Sequence, residues 1–195
     1  VTVKIDPKPS KAPGTVGIDL GLKDFLTTSD GDKVEAQRFY RALEPALAVA
    51  QRANKKQRVK AIHAKIKNRR KDALHKLSTR LVNEYGAIFV GDVNASGLAK
   101  TNQAKSVLDA GWSTFRTMLQ YKGECAGTWF EVVNERYTTQ ACSECGSLGG
   151  QKGRKELGIR DWTCLHCGAY HARDVNVAKN ILARGLARLP VAAVA

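Results

Sequence analysis

The chain has 195 residues and carries a formal net charge of +14, from 32 Lys and Arg residues against 18 Asp and Glu residues. This length suits one full domain with a small additional module, and no apolar run approaches the roughly 18 residues that a membrane span needs. A charge this large indicates a polyanionic partner, most often nucleic acid, and the sequence lacks the basic, aromatic-rich amphipathic helix that is typical of membrane-surface proteins.

The first residues of the chain predict a single strand followed by a linker. Val1, Val3 and Ile5 alternate with polar residues, which is the period of a strand, and a segment rich in proline follows from Pro7 to Gly14. A lone strand before a linker is typical of the end of a domain. We therefore expect residues 1–13 to be the remnant of a preceding domain and the chain to be a fragment.

Residues 15–35 predict an antiparallel meander of three strands, with the hairpin signal Asp30-Gly31 before the third strand. The first strand, at residues 15–21, is apolar except for Asp19. A carboxylate at this place is costly unless something uses it, and Gly17 and Gly21 leave room for a ligand. Asp19 is therefore a candidate metal ligand, although an Asp at a strand end can also satisfy backbone N–H groups.

Residues 43–85 predict one long amphipathic helix or a helical hairpin, because apolar residues recur every three to four positions. The other faces are strongly basic, and Asp72 is the only acid between Arg52 and Arg80. A solvated helix face is the ordinary interpretation, but the near absence of acidic partners favours contacts to phosphates. The predicted nucleic-acid-binding residues are Arg52, Lys55, Lys56, Lys65, Arg69, Arg70 and Lys76.

The second half predicts two more strands and two helices. A buried strand at residues 87–90 ends at Gly91-Asp92, a polar loop spans residues 94–105, and a helix at residues 106–126 is followed by Gly127. A strand at residues 129–133 ends just before Glu135. The last helix runs from about residue 175 to 189, with Asp174 at its start, where Asp is also an ordinary capping residue.

Four of the five cysteines form two C-x-x-C knuckles, which lie on either side of residues 146–163. Such spacing predicts a tetrahedral zinc site, with ligands Cys142, Cys145, Cys164 and Cys167. Four thiolates leave no open position, so the zinc would be structural. Two disulfides or a redox pair are the alternatives. His171 follows the second knuckle and is a weaker candidate for contacting a substrate.

Several separated motifs together resemble the TnpB (OrfB) family of transposon-encoded, RNA-guided DNA nucleases, which is similar to the compact type V CRISPR effectors. The resemblance extends from residue 14 to residue 189. It rests on GIDLGLK at residues 17–23, RKDALHKLS at 70–78, YK at 121–122, YTTQAC at 137–142, the two knuckles, and RDVN at 173–176.

This resemblance implies an α/β fold of RNase H-like (RuvC) type: a mixed sheet with long basic helices and an inserted zinc ribbon. The nuclease domain would comprise residues 14–137 and 171–190, and the ribbon residues 138–170. Residues 1–13 would be a remnant strand of an N-terminal wedge domain plus a linker. It further implies a cytoplasmic, nucleoid-associated endonuclease that binds a guide RNA and a DNA target. Its cofactors would be Mg²⁺ or Mn²⁺ at the nuclease site and a structural Zn²⁺.

In the family pattern, Asp19 matches the first catalytic acid and Asp174 the last, but Gly91 stands where the middle Glu is expected. Glu135 is the predicted replacement, because it follows a strand that should end near Asp19. Asp92 should face away if its strand continues. Glu131 shares the face of Glu135, but it lies further from the edge of the sheet where such sites gather.

Two other interpretations stay open, and Gly91 favours the first of them. The first is a nuclease-dead, RNA-guided DNA-binding protein or repressor, in which Glu135 is an ordinary surface acid. The second is a plain zinc-ribbon binder of nucleic acid, in which the α/β part is a scaffold and Asp19 matters only for stability.

Overall fold

The computed structural model describes residues 10, 12–151, 156 and 158–189. The strand predicted near residue 1 therefore lies outside the described residues. A five-stranded sheet and six helices account for most of the described chain, and a separate two-stranded sheet follows the fifth strand. In chain order the elements are β1 (Gly14–Leu20), β2 (Asp24–Thr28), β3 (Lys33–Glu35), α1 (Phe39–Arg52), α2 (Lys56–Glu84), β4 (Tyr85–Gly91), α3 (Ala95–Leu98), α4 (Ala104–Ala110), α5 (Trp112–Ala126), β5 (Trp129–Val133), β6 (Asp161–Thr163), β7 (Tyr170–Ala172) and α6 (Arg173–Leu186).

The large sheet is mixed and has the strand order β3-β2-β1-β4-β5. The meander of β1, β2 and β3 is antiparallel, whereas β4 pairs in parallel with both β1 and β5. The predicted α/β class and mixed sheet are confirmed. Because these pairs are parallel, β1, β4 and β5 all end at the same edge of the sheet.

The two faces of β1 meet different helices because successive side chains in a strand point to opposite sides. Val16 and Ile18 are buried in the main core, where they lie with residues of α2 and α5 such as Leu81 and Phe115. The other face of β1 presents Gly17, where an added Cβ would overlap the backbone of α6. This glycine therefore lets α6 lie directly on the sheet, and Asp19 shares its face.

The second core lies between α6 and the face of the sheet opposite to the main core. Ala87 and Phe89 of β4 and Val133 of β5 are buried there against Val177 and Ile181 of α6. The larger of these side chains, those of Phe89, Val133, Val177 and Ile181, each contribute about 1.5–3 kcal/mol when they are fully buried. The same contacts fix the start of α6 near the carboxyl ends of the parallel strands.

The basic helical region is a hairpin, which decides between the two alternatives that the sequence left open. The break falls at Ala53 to Lys55, where Asn54 adopts a positive φ of 50°. Asn tolerates this left-handed conformation better than most residues, so no Gly or Pro was needed to mark the turn.

The helix predicted at residues 106–126 is also divided, and here the prediction of one helix is wrong. Gly111 has a φ of 71° and ends α4 immediately before α5 begins. Part of the predicted polar loop forms α3, whose first turn is capped by Asn94. In the described part of the chain, the helices are all too short or too polar to cross a bilayer.

Candidate functional site

The carboxyl ends of β1, β4 and β5 lie side by side. Ile18 of β1 is opposite Val90 of β4, and Gly91 of β4 is opposite Val133 of β5. One step further along β1, Asp19 therefore lies beside Gly91. Such an edge is where open α/β sheets bind ligands, and it brings together acids that are distant in sequence.

Glu135 fills the space next to Gly91. A Cβ added at residue 91 would overlap the Oε1, Cδ and Cγ atoms of Glu135. The Glu135 carboxylate thus stands where a side chain from residue 91 would begin. Its Oε1 atom is buried and has no hydrogen-bond partner among the described residues, although a buried carboxylate oxygen is costly to leave unpaired.

The charges at this edge repel one another. Burial raises the pKa of Asp19 well above its ordinary value, and the nearby charges of Glu135 and Asp174 raise it further, while Arg173 lowers it. Burial raises the pKa of Glu135 to about 7, and the charge of Asp92 adds to that shift, whereas Arg116 opposes it. Asp19, Glu135 and Asp174 therefore form one electrostatic cluster that favours a cation.

Asp174 lies in the first turn of α6 and is held by two arginines. The Nε and NH2 atoms of Arg173 donate to Asp174 Oδ1 at 2.9 and 2.8 Å. Arg160, from the segment between the knuckles, donates to Asp174 Oδ2 at 3.1 Å. Asp174 was predicted from the sequence, whereas no pattern in the sequence pointed to Arg160.

Asp92 and Glu131, the other acids considered, have different surroundings. Strand alternation would turn Asp92 away, but β4 ends at Gly91, and the exposed Asp92 side chain instead accepts a hydrogen bond from the Glu135 N–H at 2.9 Å. Glu131 forms an ion pair with Arg188 at 3.2 Å. Glu131 is thus occupied elsewhere, while Asp92 contacts the backbone of Glu135.

The four knuckle cysteines come together as free thiols, with all Sγ atoms within 4.8 Å of one another. Two of the sulfur–sulfur distances, Cys142 to Cys167 and Cys145 to Cys164, are 3.7 Å. A tetrahedron of zinc–sulfur bonds of about 2.3 Å places its sulfurs about 3.8 Å apart. The donor set and its spacing therefore fit zinc.

Neighbouring side chains hold this cluster and connect it to α6. His171, the weaker candidate for contacting a substrate, is buried, and its Nε2 atom lies 3.0 Å from Cys142 Sγ. Asn176 of α6 accepts a hydrogen bond from the Ser143 N–H at 2.9 Å. Asn180 donates to the carbonyl oxygens of Thr138 and Ala141, so α6 carries the first knuckle as well as Asp174.

The predicted nucleic-acid-binding residues differ in their surroundings. Arg70 is partly buried and donates to Leu108 O and Asp109, and Lys76 pairs with Asp72 at 2.8 Å. The others are exposed on the α1–α2 hairpin: Arg52, Lys55, Lys56, Lys65 and Arg69. The exposed side chains suit contact with a polyanion, whereas Arg70 also has a structural part in joining α2 to α4.

The sheet order and its acidic edge define a mixed α/β protein, and the cysteine cluster of the segment between β5 and α6 fits a zinc site. Residues 1–102 match the family model OrfB_IS605, described as a probable transposase. Residues 112–181 match a model described as the Cas12f1-like TNB domain. The chain belongs to the OrfB (TnpB) family, as its motifs predicted.

Known proteins that this chain resembles carry consistent names. "Putative RNA-guided DNA endonuclease" from Streptomyces pristinaespiralis is 39% identical over 196 residues, covering 94% of this chain and 48% of that protein. "TnpB-like protein L79" of Acanthamoeba polyphaga mimivirus is 31% identical over 213 residues, covering 94% and 40% respectively. The chain thus spans about half the length of the curated relatives it matches, or less.

A solved structure of the Cas12f1–sgRNA–target DNA complex shares the fold. The match has a TM-score of 0.64 at 17% sequence identity, and it covers 91% of this chain and 50% of that one. At this identity the likeness concerns the fold alone.

Proposed function

We propose that the chain is the catalytic part of an RNA-guided DNA endonuclease, in which Asp19, Glu135 and Asp174 bind divalent cations. One observation carries this proposal: Glu135 reaches back from the end of β5 into the space that Gly91 leaves beside Asp19. Its buried Oε1 atom, which has no partner in the described part of the chain, fits a ligand of Mg²⁺ or Mn²⁺. Mg²⁺ and Mn²⁺ prefer such oxygen donors.

The chain's own residues would prepare the site for hydrolysis of a phosphodiester bond. Two divalent ions, when bound, activate the attacking water and stabilise the leaving oxygen. Asp19 and Glu135 must lose their protons before they can bind cations, and burial makes that loss harder for both. Arg160 and Arg173 orient the Asp174 carboxylate, so the third acid is held in place from two sides.

We further propose that Cys142, Cys145, Cys164 and Cys167 hold a structural zinc ion, which fixes the ribbon against α6. The exposed basic residues of the α1–α2 hairpin would contact the phosphates of guide RNA or DNA. In this arrangement base pairing with the guide would select the target, while the protein holds the backbones. Residues 14–137 and 171–190 would act as the nuclease domain and residues 138–170 as the ribbon.

The test is cleavage by a guide-loaded protein that contains this chain within a longer family member. Asp19→Asn, Glu135→Gln and Asp174→Asn should each reduce cleavage by at least about 100-fold, because each removes a charged ligand of the reacting centre. Binding to the target should remain. Glu131→Gln is the matched control, since Glu131 lies on β5, before Glu135, and pairs with Arg188 instead of facing Gly91. This variant should cleave normally.

The second candidate is a nuclease-dead, RNA-guided DNA-binding protein, and Gly91 is the observation that favours it. Target binding without cleavage by the unaltered protein, in Mg²⁺ and in Mn²⁺, would establish that candidate and reject the first. Cleavage that survives Glu135→Gln but not Asp19→Asn would reject only the role of Glu135.

A further inference from the structure

Glu135 lies in a loop, two residues beyond the end of β5, yet its carboxylate must enter a narrow space beside Gly91. A loop residue has more conformational freedom than a residue in a strand. Something must therefore fix its backbone. The Thr138 hydroxyl donates to the Glu135 carbonyl oxygen at 2.8 Å, which secures only the side of the loop that faces the ribbon.

Asp92 secures the other side with two hydrogen bonds. Its backbone N–H donates to the carbonyl oxygen of Val133 at 2.9 Å. Its side-chain Oδ1 atom accepts the backbone N–H of Glu135, also at 2.9 Å. The two hydrogen bonds reach the residues on either side of Asn134. They join the end of β4 to the backbone of Glu135.

We propose that Asp92 is a positioning residue, which fixes the Glu135 backbone so that the Glu135 side chain enters the space left by Gly91. This inference rests on the proposed role of Glu135 as a metal ligand. Asp92 acts through its hydrogen bond and is not itself a ligand. Gly91 and Asp92 then work together, since the first provides the space and the second directs the carboxylate into it.

Two substitutions of Asp92 can separate a positioning role from two alternatives, a direct metal ligand and a surface acid without a role. An Asn at position 92 keeps a side-chain oxygen that can accept the Glu135 N–H, whereas an Ala removes it. A metal ligand would depend on the negative charge of the carboxylate, so Asn as well as Ala would then weaken metal binding. A surface acid without a role would tolerate both changes. The pattern across two substitutions thus reports what Asp92 does.

The experiment measures the affinity of the zinc-loaded 195-residue chain for Mn²⁺ by electron paramagnetic resonance. The variants are Asp92→Ala, Asp92→Asn and Glu135→Gln. The control is Asp72→Ala, which removes the same charge from an exposed position on α2. Substituting residues that orient metal ligands typically costs 10–100-fold in metal affinity. We expect Asp92→Ala to weaken Mn²⁺ binding by about 10-fold, while Asp92→Asn stays within about 2-fold of the unaltered chain and follows Asp72→Ala.

Each other outcome has a definite meaning. Unchanged affinity in Asp92→Ala would overturn the positioning role while leaving Glu135 as a ligand, provided that Glu135→Gln weakens binding. A loss in Asp92→Asn as well as in Asp92→Ala would overturn it in favour of a direct carboxylate ligand. If Glu135→Gln leaves the affinity unchanged, the proposed function of Glu135 fails, and the positioning role fails with it.

Because Asp92 is exposed, its variants should fold. Circular dichroism and zinc content provide the check that the Asp92→Ala chain remains intact. A loss of Mn²⁺ affinity that merely followed a loss of folded protein would count against the proposal.

Discussion

The cysteine cluster and the acidic cluster are built in opposite ways. The four thiols come from two short knuckles, each with its ligands three positions apart, and they lie in one small ribbon. The acids come from β1, from the loop after β5 and from the start of α6, and they meet only because the parallel strands end together. One site is a local property of the sequence, and the other is a property of the whole fold.

This difference also appears in what each cluster needs. In the described part of the ribbon, the buried cluster is small and consists of Cys142, Trp162 and Cys164. The acids, by contrast, are supported by two extensive cores on either side of the sheet. We therefore expect the ribbon to depend on its metal for folding, and the acidic site to depend on its metal only for activity.

The largest expected effect tests the first half of that contrast. Removal of zinc, or Cys142→Ser, should unfold the ribbon, because zinc supplies about 10–16 kcal/mol to isolated zinc fingers. Hydrogen exchange should show lost protection in residues 138–151 and 158–172, while β1 and β4 stay protected. Cys125→Ser, at an exposed cysteine outside the cluster, is the control. Full protection in Cys142→Ser would show that the ribbon folds without metal.

The second effect tests whether ionisation of Glu135 destabilises the folded chain when no divalent cation is bound. The pKa of Glu135 is raised from 4.5 to about 7, so between these values the folded chain binds more protons than the unfolded chain. The free energy of unfolding should therefore fall as pH rises from about 4.5 to about 7. One pKa unit is worth about 1.4 kcal/mol, so the fall due to Glu135 is about 3 kcal/mol.

Urea denaturation of the zinc-loaded chain in buffer free of Mg²⁺ measures this dependence. Other titrating groups contribute to the total, so the informative quantity is the difference between the unaltered chain and Glu135→Gln. The variant should lack the fall, because its amide does not titrate. An identical pH dependence in both proteins would mean that folding does not raise the pKa of Glu135.

A smaller effect on stability is expected at Gly91. Gly91→Ala places a Cβ where the end of the Glu135 side chain lies. That side chain can move, so we expect the free energy of unfolding to fall by only about 1–2 kcal/mol. Mn²⁺ affinity should also fall, because the displaced Glu135 carboxylate would no longer lie beside Asp19. In a Glu135→Ala background the stability cost should disappear. A cost that persists in the double variant would place the clash elsewhere.

The smallest effects concern the basic hairpin. Lys65→Ala and Arg69→Ala should leave stability unchanged and reduce the salt dependence of nucleic-acid binding by about one unit of slope for each lost phosphate contact. Arg70→Ala should in addition destabilise the chain, because Arg70 bridges to Leu108 and Asp109. Unchanged slopes in the Lys65 and Arg69 variants would mean that this surface is only solvated.

The contrast explains how much the sequence could predict. Strand β5 and the end of β4 were predicted well, because an apolar run and the polar residues that follow it are local signals. The thiol cluster followed from spacing alone. Asp19 and Asp174 were identified by motif, but their proximity depends on Gly17 admitting α6 onto the sheet. The contacts of Arg160 and Asp92 could not be predicted, since they cross between elements whose relative placement no local pattern encodes.

The missing middle acid is the clearest case. From sequence, Gly91 suggests a lost ligand, and Glu135 is a loop residue with an ordinary surface role as its alternative. Only the pairing of β4 with β5 shows that one residue leaves the space that the other fills. The missing side chain at Gly91 and the carboxylate of Glu135 are therefore two parts of one feature of the fold.

The most direct test of this account is anomalous diffraction from crystals of the chain soaked in Mn²⁺. We predict two manganese peaks about 4 Å apart, with carboxylate oxygens of Asp19, Glu135 and Asp174 in their coordination shells at roughly 2.1–2.2 Å. Manganese bound by Asp19 and Asp174 with the Glu135 carboxylate turned to solvent, or no manganese at this edge of the sheet, would contradict it.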